Sequence, residues 1–79
     1  MSKEEIQTWL VEYVNRETGT DKAKIELDVA FDRYGMDSSA AVGMTGDLED
    51  WLSLELEPTI VYDYPTIAEL SEYLIERVS

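Results

Sequence analysis

Residues Gly35–Leu52 read GMDSSAAVGMTGDLEDWL, and how that stretch is read decides the fold. An acid and two serines, Asp37, Ser38 and Ser39, stand between a glycine and a run of small and apolar residues. Asp and Ser favour helix N-caps because their side-chain oxygens accept hydrogen bonds from the free N–H groups of the first turn. Asp37 or Ser38 is therefore expected to cap a helix running to about Ser53, with Ala41, Val42, Leu48, Trp51 and Leu52 on its inner face.

Upstream, Ser2 and Glu5 form a capping-box pattern, and Ile6, Trp9, Leu10, Tyr13 and Val14 recur with helical spacing. The reading is an amphipathic helix from Lys3 to about Arg16, stopped near Gly19. Between the two helices, Ile25, Leu27, Val29 and Phe31 alternate with polar residues as a half-buried strand would. A lone strand has nothing to pair with, so Glu17–Asp37 is expected to be an extended loop pinned over a helical core by those side chains. A loop of roughly 20 residues is long for a compact domain unless it is functional.

Downstream, Pro58 and Pro65 bracket a segment, Thr59–Tyr62, with room for at most one helical turn. Thr66 and Glu69 repeat the capping box and open a last helix that buries Ile67, Leu70, Leu74 and Val78 and ends near Arg77. The expected fold is all-α: three main helices plus one short helix, with a long first loop, in a single domain spanning residues 1–79.

The chain contains no Cys and no His. That removes disulfides, protein thioesters, thiolate metal sites and every Ser-His or Cys-His nucleophile. Only Lys3, Lys22 and Lys24 could activate a serine, and all lie in the first helix or first loop. Ala40 stands where a nucleophile elbow needs its second glycine. Catalysis by the chain itself is not expected. Asp47 and Asp50 read as a solvated helical face rather than an acid–base pair, and no segment matches a calcium-binding EF-hand loop, so no metal site is expected. Of Trp9, Tyr13, Phe31, Trp51, Tyr62, Tyr64 and Tyr73, most have core spacing and are expected to be packed rather than stacked on a ligand.

Charge narrows the partners. The formal net charge is −12, from 18 acids against 6 bases, and no base lies between Arg33 and Arg77. Such a surface repels nucleic acid and anionic membranes and attracts basic protein surfaces. With no long apolar run and no charged-then-apolar leader, a cytoplasmic monomer is expected.

The serines need a closer look. A cap requires no function, but a helix N-terminus also favours an attached or bound phosphate by about 0.3 to 1 kcal/mol. The helix beyond Ser38 carries acids and no bases, as a docking surface does. A serine that cannot activate itself is a candidate substrate for another enzyme.

GMDSSAAVGMTGDLEDWL, preceded by Phe31 and followed by PTIVYDYPTIAELSEYL (Pro58–Leu74), resembles the acyl carrier proteins and carrier domains of polyketide and fatty-acid assembly, the phosphopantetheine-binding family. The resemblance implies that Ser38 receives 4′-phosphopantetheine from coenzyme A through a phosphodiester, installed by a phosphopantetheinyl transferase. The terminal thiol of that arm then holds acyl cargo as a thioester. Asp37 matches the family's acidic residue before the serine, associated with positioning the transferase's metal and coenzyme A. Val42, Glu49 and Asp50 match the second-helix positions through which carriers meet basic enzyme surfaces: an acyl-adenylating ligase or acyltransferase, a ketosynthase and other assembly-line enzymes. Ser39 stands where Leu is common and Gly43 where Glu is common, and Gly46 adds a second glycine to the helix. Asp before the serine and the YDYPTI segment favour an acyl over a peptidyl (aminoacyl) carrier. The alternative from a different class is a noncovalent acidic helical interaction module.

Overall fold

The computed structural model describes residues 1–78 as α1 (Lys3–Thr18), α2 (Ser38–Leu52), α3 (Ile60–Asp63) and α4 (Ile67–Val78), with no strand among them. The all-α expectation, three main helices and one short one, is what the structure contains. The starts of the three main helices have a chemical cause in their caps. At α1 the capping box is complete: the Ser2 hydroxyl accepts from the Glu5 N–H at 3.2 Å, and the Ser2 N–H donates to the Glu5 carboxylate at 2.9 Å. Hydrogen bonding to Ser2 holds the Glu5 carboxyl below its ordinary range. Gly19, at φ 73°, ends the helix in the left-handed conformation that glycine adopts without steric cost. At α4 the Thr66 hydroxyl accepts from the Glu69 N–H at 3.1 Å and donates to the Glu69 carboxylate at 3.0 Å.

The inner face of α2 differs from expectation. Its buried stripe is Ala41, Met44, Thr45, Leu48 and Leu52, whereas Val42 is 51% exposed and Trp51 36% exposed. One residue of helix is about 100° of rotation, so a side chain next to the stripe leaves the core however apolar it is. Thr45 enters the core because its hydroxyl donates to the Ala41 carbonyl at 2.9 Å and leaves no polar atom unpaired. Among the aromatic residues only Tyr13 and Phe31 are buried; Trp9, Tyr64 and Tyr73 are half-buried, and Tyr62 lies open.

The first loop is more structured than an extended segment. It holds two short 3₁₀ turns, Lys22–Lys24 and Phe31–Tyr34, and of its alternating apolar residues only Ile25 and Phe31 are buried, with Leu27 exposed. Backbone pairing replaces the missing side-chain anchors: the Phe31 N–H donates to the Pro65 carbonyl at 2.9 Å and the Ala68 N–H to the Leu27 carbonyl at 2.8 Å. The loop is thereby fastened to the entrance of α4. The Tyr34 hydroxyl closes its other side, accepting from the Glu26 N–H at 2.9 Å and donating to the Glu26 carbonyl at 3.2 Å.

Ile6, Leu10, Val14, Met44, Leu48, Ile67, Leu70 and Leu74 form the fully enclosed centre, where α1 packs most extensively on α4. Ser71, also fully buried, accepts from the Gln7 amide at 3.2 Å and donates to the Ala68 carbonyl at 3.0 Å, so it costs no unpaired group. On α2, nothing beyond the adjoining residues and the helix's own backbone lies within 4 Å of where a Cβ would stand on Gly46. Gly46→Ala is therefore expected to stabilise the fold by about 1 kcal/mol, a rise of roughly 4–8 °C in melting temperature by thermal circular dichroism.

Candidate functional site

The sequence points to the start of α2, and the geometry there is simple. Asp37 is the N-cap: its backbone is extended and its carboxylate accepts from the Ala40 N–H at 2.9 Å. Ser38 is then the first helical residue and is exposed. Its hydroxyl has no hydrogen-bond partner among the described residues, so Asp37 does the capping and leaves Ser38 free.

Ser38 stands at the mouth of a half-enclosed crevice of about 160 Å³ between the first loop, α2 and α3. Phe31, Met36, Ala41, Val61 and Pro65 make its apolar wall, with Asp32, Asp37, Ser38 and Tyr62 at the lining's polar positions. Ser39, one residue on, is exposed and does not line it. The residues that sequence reasoning missed here are Met36, Val61, Tyr62 and Pro65. The signal for the last three was the Pro-bracketed turn, whose length was legible but whose docking against the serine was not.

Val42 lies one helical turn below Ser38 and on the same side, open to solvent. Glu49 and Asp50 are not beside Ser38: eleven and twelve positions beyond it, they sit about 17 Å down the helix axis. They also differ from each other. Asp50 is exposed, but the half-buried Glu49 accepts from the Leu56 N–H at 2.9 Å and so ties the segment after α2 back onto it.

The α1-facing flank of α2 has its own chemistry. Tyr13 is buried there, and its hydroxyl lies 3.4 Å from where a Cβ on Gly43 would be. Burial, reinforced by the negative charges of Asp47 and Glu17 and a hydrogen bond to Asp47, pushes the phenol up to about 12. The glutamate common at position 43 in the resembled family would bring another carboxylate to this flank.

No lysine or arginine lines the crevice, and no helix among the described residues is long and apolar enough to cross a membrane. What the arrangement offers is an accessible hydroxyl at a helix N-terminus, where a phosphate is electrostatically favoured, above an apolar wall able to take a flexible organic arm.

Comparison with known proteins agrees with that chemistry. The chain is 30% identical over 77 residues to the acyl carrier protein TtuC of Teredinibacter turnerae, covering 98% of this chain and 88% of that one. It is 34% identical over 67 residues to part of the conidial pigment polyketide synthase alb1 of Aspergillus fumigatus, a match covering 85% of this chain and 3% of that synthase. Among solved structures, a free-standing peptidyl carrier protein from an Acinetobacter baumannii secondary metabolic pathway superposes with a TM-score of 0.91 at 40% identity, covering 99% of this chain and 98% of that one. The family described as "Phosphopantetheine attachment site" matches residues 8–74. With an exposed serine at the head of α2 and the family match running over residues 8–74, the chain belongs to the phosphopantetheine attachment site family, whose members carry 4′-phosphopantetheine covalently.

Proposed function

We propose that the chain is an acyl carrier protein of polyketide- or fatty-acid-type biosynthesis, with Ser38 as its attachment site and residues 1–79 acting as one carrier domain. A transferase would activate the Ser38 hydroxyl; its oxygen bonds to the phosphorus next to pantetheine in coenzyme A, the pyrophosphate link breaks, the nucleotide leaves, and the hydroxyl proton passes to the transferase. When bound, the arm supplies the thiol that the chain lacks and holds the acyl group as a thioester. The chain's own residues present and restrain: Asp37 caps α2 without engaging Ser38, and Phe31, Met36 and Val61 offer an apolar wall beside it.

The observation that carries the choice of serine is that Ser38 lines the crevice and Ser39 does not. Incubation with coenzyme A and a promiscuous phosphopantetheinyl transferase, followed by intact-mass measurement, tests the reading. One added phosphopantetheinyl group is expected. No gain, under conditions that modify a known carrier, leaves the noncovalent acidic module as the better description.

Likeness to a peptidyl carrier structure supports a second reading, in which the cargo is an aminoacyl group. Loading by an acyl-adenylating ligase or acyltransferase against loading by an amino-acid-adenylating enzyme separates the two.

The acidic outer face of α2 suits fast, salt-sensitive and weak contacts with basic partners such as a ketosynthase. Asp50→Lys is expected to slow loading by such a partner and flatten its salt dependence while leaving stability unchanged, because Asp50 is exposed. Glu49→Lys removes the acceptor for the Leu56 N–H as well, and should lower stability by about 1 to 2 kcal/mol in urea titration. Equal effects of both variants on loading, with no stability difference, would show that Glu49 is no more tied into the fold than Asp50.

A further inference from the structure

The end of α2 away from Ser38 carries a feature that the carrier reading does not use. Trp51 lies thirteen residues beyond Ser38, about 20 Å along the helix axis. It stacks on Trp9 of α1, with ring centroids 5.2 Å apart and planes 6° from parallel. Trp9 in turn stacks on Tyr13 at 5.3 Å, and the guanidinium of Arg16 sits over the Tyr13 ring at 5.4 Å. Four side chains thus form a ladder across the two helices, with a cation on a ring at its Tyr13 end.

The indole end is different. Trp9 and Trp51 line a shallow open groove together with Glu4, Glu5, Thr8 and Glu12, and no base lines it. Trp51 is 36% exposed, a large apolar side chain left in water on a chain that needs its aromatics for burial. Glu12 has an exposed ion pair with Lys22 at 3.7 Å, a weak contact in solvent. Glu5 is held in its capping box, and Glu4 makes no ion pair among the described residues.

We propose that this groove, the Trp9–Trp51 indole pair rimmed by Glu4 and Glu12, is a second docking site on the chain, and that it takes an arginine side chain from a basic partner protein. The exposed Trp51 ring and the carboxylates together match a planar guanidinium, which stacks on the indole while its edge N–H groups reach the acids. An ammonium ion fits the carboxylates but has no plane to stack. The chain's own Arg16 already sets its guanidinium over a ring at the ladder's other end. The net charge of −12 argues for a basic occupant and against a second copy of the same chain. The proposal stands beside the carrier reading and does not depend on Ser38.

Trp9 and Trp51 are the protein's only two tryptophans, so intrinsic fluorescence reports from the groove alone. The probes are two synthetic helical peptides, identical except that one carries arginines where the other carries lysines. The arginine peptide is expected to change tryptophan emission saturably and to bind about three- to fivefold more tightly than the lysine peptide. Trp51→Leu should bring the two to one affinity, with Trp9 as the remaining reporter, and Glu4→Gln should weaken the arginine peptide. Equal affinities in the parent protein, or an arginine preference that survives Trp51→Leu, overturn the proposal. If Trp51→Leu loses its helical circular dichroism, Glu4→Gln decides, and unchanged binding overturns the proposal. Emission that changes with protein concentration alone marks self-association and overturns it too. Phosphopantetheine loading reads Ser38 only, so the two readings fail separately.

Discussion

Ser38→Ala is expected to abolish phosphopantetheine loading altogether, with no mass gain after exhaustive incubation, while Ser39→Ala loads like the parent. The contrast is decisive because neither change disturbs the fold. The Ser38 hydroxyl has no hydrogen-bond partner among the described residues, and Asp37 does the capping, so removing one oxygen leaves α2 as it was. Surface substitutions of this kind stay within about 0.5 kcal/mol. Ser39 is exposed and off the crevice, and alanine there raises helix propensity slightly. Asp37→Ala is the poorer test: it deletes the cap and costs about 1 kcal/mol, mixing stability with any part Asp37 has in the transferase complex. A loss of loading in Ser39→Ala with full loading in Ser38→Ala would move the attachment site by one residue and with it the account of the crevice.

Phe31→Ala is expected to cost about 3 to 5 kcal/mol in urea titration, with the midpoint lowered and the slope retained. Phe31 is 2% exposed and belongs to the central cluster, while its N–H holds the Pro65 carbonyl at 2.9 Å. Deleting the ring empties the space beneath the first loop, and the deletion is worth a large part of the roughly 4 to 12 kcal/mol that a chain of this size has in total. It also removes one wall of the crevice beside Ser38, so loading at a temperature where the variant is still folded should slow as well. A cost below about 1 kcal/mol would mean that the loop is held by its backbone bonds alone, since a well-filled core does not give up an aromatic ring so cheaply.

The helices and their caps were legible because they are local. Ser2 with Glu5, Asp37 ahead of Ala40, and Thr66 with Glu69 are pairs three residues apart, and three-residue spacing is what a first helical turn reads. The same holds for the serine: that Ser38 has no histidine or cysteine to work with follows from residue types alone. The first loop was half legible. Its alternation identified Ile25 and Phe31 as anchors, but included Leu27, whose carbonyl and not its side chain is what the fold uses.

Distance along the chain marks where sequence reasoning stopped. The pairing of Phe31 with Pro65 and of Leu27 with Ala68 joins segments more than thirty positions apart, and no periodicity encodes it. Whether Val42 and Trp51 face inward depended on which flank α1 and α4 covered. Both residues are apolar, yet burial is awarded by position on the packed helix and not by hydropathy. The identities of α2 also made Glu49 and Asp50 look equivalent, until the fold folded Leu56 back onto one of them. The helices, their caps and the lack of any histidine or cysteine beside the serine follow from the residues alone, because those rest on neighbours within one turn and on which functional groups exist at all. Only the tertiary structure decided that Ser38 opens onto a crevice and that two tryptophans meet across α1 and α2, because both arise where surfaces from distant segments come together.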